Sequence, residues 1–201
     1  TGEVRTTPSG LSEMILWDHI EEGAARLVLD YYDISTDLLP EPAPTFSVQG
    51  ELTGEAAEEL GLGPGVVVSY RAGDQPNNAF SLGVLDPGEA ATTAGTSGVV
   101  YAVDDRPLYD PISRVNSFIH VNHGGENPRF GVLLCVNGTG ILNSWLSGIL
   151  AAGSEPMEFD LMNEMAASVP VGSEDLAILP YGNGAERSLE NRNMGASVHG
   201  L

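Results

Sequence analysis

The run Arg71-Ala72-Gly73-Asp74-Gln75 offers the carboxylate best placed to take a proton. A β-rich stretch, Val66 to Tyr70, leads into it, and a glycine ahead of the acid lets the backbone turn without a Cβ clash, which presents the carboxylate at a sheet edge. A hydroxyl is a poor nucleophile toward a phosphoryl group while it holds its proton, so Asp74 is read as a general base. The plainer alternative is an aspartate that caps a turn. Two glycine-hydroxyl turns, Gly95-Thr96-Ser97-Gly98 and Gly138-Thr139-Gly140, are suited to phosphate, because amides of a tight turn or a helix start converge as donors and hydroxyls add directional bonds without a cation. Each of them singly is an ordinary turn.

The remaining reactive side chains read as structural. His19, His120, His123 and His199 are scattered, and His120-Val121-Asn122-His123 lacks an acid or cysteine at metal-ligand spacing, so no metal ligand is assigned. Cys135 sits in Val132-Leu133-Leu134-Cys135-Val136, an apolar run that suits an inert buried thiol, and a lone cysteine forms no disulfide within the chain. Asn137-Gly138-Thr139 matches a glycosylation acceptor but lies where a strand should meet a helix. Neither Gly-x-Ser-x-Gly, His-Glu-x-x-His nor Cys-x-x-Cys occurs.

Of 201 residues, 28 are acidic and 8 basic, a net charge of −20, and every basic residue is arginine. Such a chain gains nothing from counterion release on nucleic acid or from anionic lipid, so neither is an expected partner. Without lysine, a P-loop with its phosphate-reaching Lys and all Schiff-base or pyridoxal chemistry are excluded for this chain. The 18% of charged residues falls below the roughly 25% of ordinary domains, and the shortfall is on the basic side, which fits a protein working in concentrated salt. Residues 61 to 130 carry 7 acids and 4 arginines, against 13 and 2 before them and 8 and 2 after them, so an anionic ligand belongs in the middle third. The longest apolar run, Phe130 to Val136, is too short to span a bilayer. The chain opens Thr-Gly-Glu with no leader pattern, as a piece of something longer would.

To position these groups the chain needs alternating strands and helices, an α/β class. A helix is expected from Ser12 as N-cap through Ile20, and apolar spacing resumes over Leu27 to Tyr32. The prolines between Leu39 and Pro44 force a loop. Thr53 caps an acidic helix to Leu60, and Gly61 to Gly65 turn into the strand before Asp74. Glu89 to Ala94 and Val99 to Ala102 form a hairpin around residues 95 to 98. A strand over Phe130 to Val136 feeds a helix with Ile141, Leu142, Trp145, Leu146 and Ile149 at helical spacing. A last helix, Phe159 to Ala167, should place Phe159, Met162 and Met165 in the core.

In order, Ala72-Gly73-Asp74-Gln75, Leu82 to Glu89, Gly95-Thr96-Ser97-Gly98, and Leu179-Pro180-Tyr181 with Gly184 and Glu186-Arg187 resemble the FGGY family of carbohydrate kinases, and within it the xylulose kinases. Thr1-Gly2-Glu3, Ser9 to Ser12 and Gly50-Glu51-Leu52-Thr53 support the likeness, which covers essentially the whole chain. The resemblance implies an actin-like, ribonuclease H-like fold with parts of two domains flanking a cleft. Residues 1–87 would close the sugar-binding first domain and 88–201 would open the nucleotide-binding second. It implies phosphorylation of a keto-pentose such as D-xylulose with ATP and Mg²⁺, in the cytoplasm, with sugar and nucleotide as the partners and a homodimer among the allowed assemblies. By the same likeness Asp74 is the catalytic base, Gln75 contacts sugar, Gly95, Thr96 and Ser97 face the phosphates, and Gly140 and Ser144 line the nucleotide pocket. A kinase for another polyol or sugar acid, or a non-catalytic actin-like binding module, fits the same residues. Thr7 stands where many members have Asp, and Ala185 looks inserted. The family's early Asp-Gly-Thr strand and late glycine-rich loop are missing, so the chain alone is not expected to be a competent kinase.

Overall fold

The computed structural model of the chain describes residues 1–151, 153 and 155–200. The helices are α1 (Pro8–Glu13), α2 (Arg26–Tyr31), α3 (Gly54–Leu60), α4 (Asp74–Ser81), α5 (Gly140–Leu150) and α6 (Phe159–Ala167). The strands are β1 (Trp17–Asp18), β2 (Gly23–Ala24), β3 (Gly50–Glu51), β4 (Val67–Val68), β5 (Ala90–Ala94), β6 (Ser97–Asp104), β7 (Asn116–Ile119), β8 (Phe130–Asn137), β9 (Ala177–Leu179) and β10 (Ser197–His199). A four-stranded sheet has the order β5-β6-β8-β7; β1-β2, β3-β4 and β9-β10 are two-stranded antiparallel pairs. The chain divides into two compact units, and the division falls within β5, β6 and β8. Among the described residues no helix is long and apolar enough to cross a membrane.

The first unit comprises Thr1–Ala91, Tyr101–Tyr109 and Asn116–Leu133. Its core gathers Leu11, Leu29, Ala57, Ala79, Tyr101, Phe118, Ile119, Val121 and Phe130. The antiparallel pair β7-β8 sets Asn116 opposite Leu133 and Ile119 opposite Phe130, and α1 packs on β7. The first helix starts four residues before the expected Ser12: the Thr7 hydroxyl accepts the Gly10 amide (3.1 Å) and Pro8 fills the first position, where its missing N–H costs nothing. Ser12 instead lies buried inside α1, donating to the Ser9 carbonyl (2.8 Å) and accepting the Ile119 amide (2.9 Å). The helix ends at Glu13, Ile15 takes a left-handed conformation, and Trp17–Asp18 becomes strand. Thr53 caps α3 as expected, accepting from Ala56 (3.3 Å). The strand expected over Val66 to Tyr70 shrinks to β4, because its partner β3 offers only two residues of ladder.

The second unit comprises Thr92–Val100, Asp110–Val115 and the chain from Leu134 onward. The hairpin turn is tighter than the sequence suggested: Ser97 and Gly98 already belong to β6, and Gly95-Thr96 alone make the bend. Helices α5 and α6 sit where periodicity put them. The expected core face of α6 is not a core, however: Phe159 and Met165 are 49% and 51% exposed, Met162 is half-buried, and α6 buries no side chain fully. Cys135 is half-buried rather than enclosed. Asn137 donates through Nδ2 to Glu186 Oε1 (2.7 Å), tying the end of β8 to the segment after Gly184.

Candidate functional site

Asp74 is not at a strand edge; it is the first residue of α4, with Gly73 as N-cap. The aspartate is exposed and Gln75, second in the helix, is half-buried. Pro76 is tolerated at the third position because the first amides of a helix have no intrahelical partner. The turn-capping alternative for Asp74 does not hold, since another acid caps this helix. Glu13, at the end of α1, accepts the Asp74 amide at Oε2 (2.7 Å) and the Gln75 amide at Oε1 (2.8 Å). Ser9 Oγ accepts the Gly73 amide (3.1 Å). Gly73 is required by this approach: a Cβ there would stand 2.4 Å from the Glu13 carboxylate. Nothing in the sequence pointed to Glu13, which meets α4 across 61 residues of chain.

Burial pushes the Glu13 carboxyl above the usual carboxylate range. The two amides oppose that rise, while the charge of Asp74 adds to it. Burial also raises the Tyr101 phenol, and the Glu13 charge raises it further. Tyr101 Oη lies 3.0 Å from His120 Nδ1, and His120 Nε2 lies 3.0 Å from the Val84 carbonyl. A carbonyl only accepts, so Nε2 carries the proton and Nδ1 accepts from the phenol. His120 is thus structural, fully enclosed and held below its ordinary pKa by burial.

In the second unit the two glycine-hydroxyl turns come together. The Gly140 amide donates to the Gly95 carbonyl (2.8 Å), the Ile141 amide to the Thr96 carbonyl (3.3 Å), and Thr139 Oγ1 to the Gly95 carbonyl (2.9 Å). Gly140 is the residue this contact demands, as a Cβ there would stand 2.4 Å from the Gly95 oxygen. The Gly95 amide is spent on the Ser97 carbonyl (3.1 Å). The Gly140 and Ile141 amides therefore bind the two turns to each other and the Gly95 amide closes its own turn, so none of the three points outward as a convergent donor. A hollow of about 400 Å³ opens beside the junction, lined by Gly95, Thr96, Gly140, Ile141, Asn143, Ser144 and Phe159 among others. Four of the five residues expected to meet nucleotide line it; Ser97, in β6, does not. Ser144 follows Gly140 by one helical turn and so shares its face of α5. Asn143 and Phe159 went unnoticed in the sequence, where an amide on a helix and a phenylalanine at a helix start carry no signal.

Among the described residues no group of three or more His, Cys, Asp or Glu side chains could hold a metal ion. Chemically, the α4 end offers an exposed carboxylate beside a second, half-buried one, and the hollow offers hydroxyls and an amide against an apolar wall.

No protein-family model matches the chain. It is 29% identical over 165 residues to a xylulose kinase of Haemophilus influenzae, covering 82% of this chain and 31% of that protein. It is 26% identical over 189 residues to a gluconokinase of Bacillus subtilis, covering 92% and 35%. The crystal structure of xylulose kinase from Rhodospirillum rubrum matches with a TM-score of 0.82 at 25% identity, covering all of this chain and 39% of that one. The chain spans about a third of the length of the curated relatives it matches. Its sequence is similar to a segment of these sugar kinases, and it has the actin-like fold of that segment.

Proposed function

We propose that the protein carrying this chain transfers the terminal phosphoryl group of ATP to a hydroxyl of a keto-pentose, D-xylulose first among them. Residues 1–87 are assigned to the closing part of its sugar-binding domain and 88–201 to the opening part of its nucleotide-binding domain. The observation that carries this reading is the Asp74 carboxylate, exposed at the start of α4 and relieved of capping duty by Glu13. In the reaction Asp74 accepts the proton of the attacking sugar hydroxyl as the oxygen–phosphorus bond forms, and ADP leaves. Gln75, beside it, orients the sugar.

Nucleotide is assigned to the hollow beside the Gly95-Thr96 turn. Thr96 and Ser144 present hydroxyls to phosphate, Gly140 and Gly95 keep the backbone close, Ser97 supports the turn from β6, and Phe159 offers an apolar wall. Hydroxyl and amide donors suit a chain without lysine, since they hold an anion by geometry rather than by charge. Magnesium reaches such a site on the nucleotide's own phosphates and needs only one or two protein carboxylates, so a three-ligand cluster is not required. When bound it would neutralise charge on those phosphates.

The assay is ADP release by the full protein against D-xylulose, gluconate and no sugar. We expect turnover that requires sugar and is highest with D-xylulose. Higher turnover with gluconate would reassign the substrate to a sugar acid, which the gluconokinase relative makes the second reading. ATP binding without turnover on any sugar would favour a non-catalytic binding module.

A further inference from the structure

We propose that Glu13 is a positioning residue for Asp74, fixing the first turn of α4 and thereby the direction from which the base meets its substrate. The inference rests on Asp74 being the base. One carboxylate on α1 takes two consecutive amides of α4, at 2.7 and 2.8 Å, and Ser9 of the same helix takes the amide before them. Three hydrogen bonds from one short helix thus fix Gly73, Asp74 and Gln75 together. A single acid at a helix start is ordinary capping; here the capping acid comes from 61 residues away and holds the backbone amide of the base itself.

That contact gives Glu13 a second effect. While ionised it accepts the two amides and leaves Asp74 able to accept a proton. Once protonated, one of its oxygens becomes a donor facing an amide, so the first turn of α4 loses a hydrogen bond and the base its fixed direction. The charged or titratable groups facing Glu13 are Asp74 from α4 and Tyr101 from β6. β7 brings none to the α1 interface, and Asp18 of β1 is occupied by the amides of Ile20 and Glu21. Burial and Asp74 both favour the neutral form of Glu13, so activity should fall with acidity earlier than an isolated aspartate would dictate.

Two variants separate positioning from mere capping. Glu13→Gln keeps one acceptor and replaces the other by a donor that faces an amide. Gly73→Ala leaves an allowed backbone conformation, φ −65° and ψ 162°, but drives its Cβ into the Glu13 carboxylate. The full protein and both variants are compared by sugar-dependent ADP release from pH 4 to 9, and by hydrogen exchange of a peptide covering residues 71–78. In both variants kcat is expected to fall about 10- to 100-fold with the sugar KM within about twofold, and amide protection at 74 and 75 to drop. In Glu13→Gln the acid limb of kcat should also move to lower pH. Unchanged kcat and an unmoved acid limb overturn the inference, even if amide protection is lost, since Glu13 would then be a cap and nothing more. If the unmodified protein shows no sugar-dependent turnover, the kinase reading itself fails and takes this inference with it.

Discussion

Residue identity decides more here than charge count. His120 is enclosed between a phenol and a carbonyl, where a neutral imidazole satisfies both ring nitrogens and burial disfavours the charged form. Its folded pKa lies below the ordinary 6.5, mainly through burial and secondarily through Arg129, and His19 is depressed by burial as well. A base depressed in the folded state contributes stability that is fully present above its unfolded pKa and is lost as pH falls from there through the folded value. The melting temperature should therefore decline as pH drops below about 6.5. In His120→Asn it should be lower throughout but decline less steeply; calorimetry from pH 5 to 8 checks this, and parallel pH profiles would show that His120 does not titrate on unfolding. Asp74 and the two glycine-hydroxyl turns stand out as candidates because residue type and local spacing mark them, whereas the helix that carries Asp74 and the bonding of the turns to each other are set by distant contacts. Glu13 does not stand out, because its role exists only after α1 and α4 have met.

Among the elements, those with strong internal periodicity were read correctly and those held by distant contacts were not. The apolar spacing of α5 and the β-rich run of β8 identify themselves. Helix α4 carries no helical signal in the sequence, since Asp-Gln-Pro-Asn-Asn has poor helix propensity and the acid that caps it lies on another helix. α1 could have been placed, because Thr7-Pro8 is an N-cap followed by a proline at the first helical position; the competing Ser12 lay closer to the apolar residues. The exposed apolar face of α6 shows the reverse limit, since periodicity predicts a face and not what covers it. The junction of hairpin and α5 yields an element-scale prediction. In Gly140→Ala the new Cβ would press on a backbone oxygen of Gly95 that cannot swing aside. We expect a loss of about 1–3 kcal/mol of stability and at least tenfold weaker ATP binding by calorimetry. Wild-type affinity would place the nucleotide elsewhere.

For the molecule as a whole, the excess of acids over arginines bears on solvent rather than on fold. Self-repulsion at a net charge of −20 is relieved by salt, so the melting temperature should rise between dilute and molar KCl. A flat or falling curve would point to an ordinary acidic protein. Fold and kinship agree over the segment that the chain covers, and 26–29% identity to both a xylulose kinase and a gluconokinase leaves the sugar to experiment. The proposed chemistry meets in the Asp74 carboxylate, and Asp74→Asn removes the base with almost no change in shape. Sugar-dependent ADP release by the full protein bearing Asp74→Asn should fall by about 10²- to 10⁴-fold while ATP affinity stays within about twofold of the unmodified protein. Turnover at the unmodified rate would contradict the assignment of Asp74 as the base.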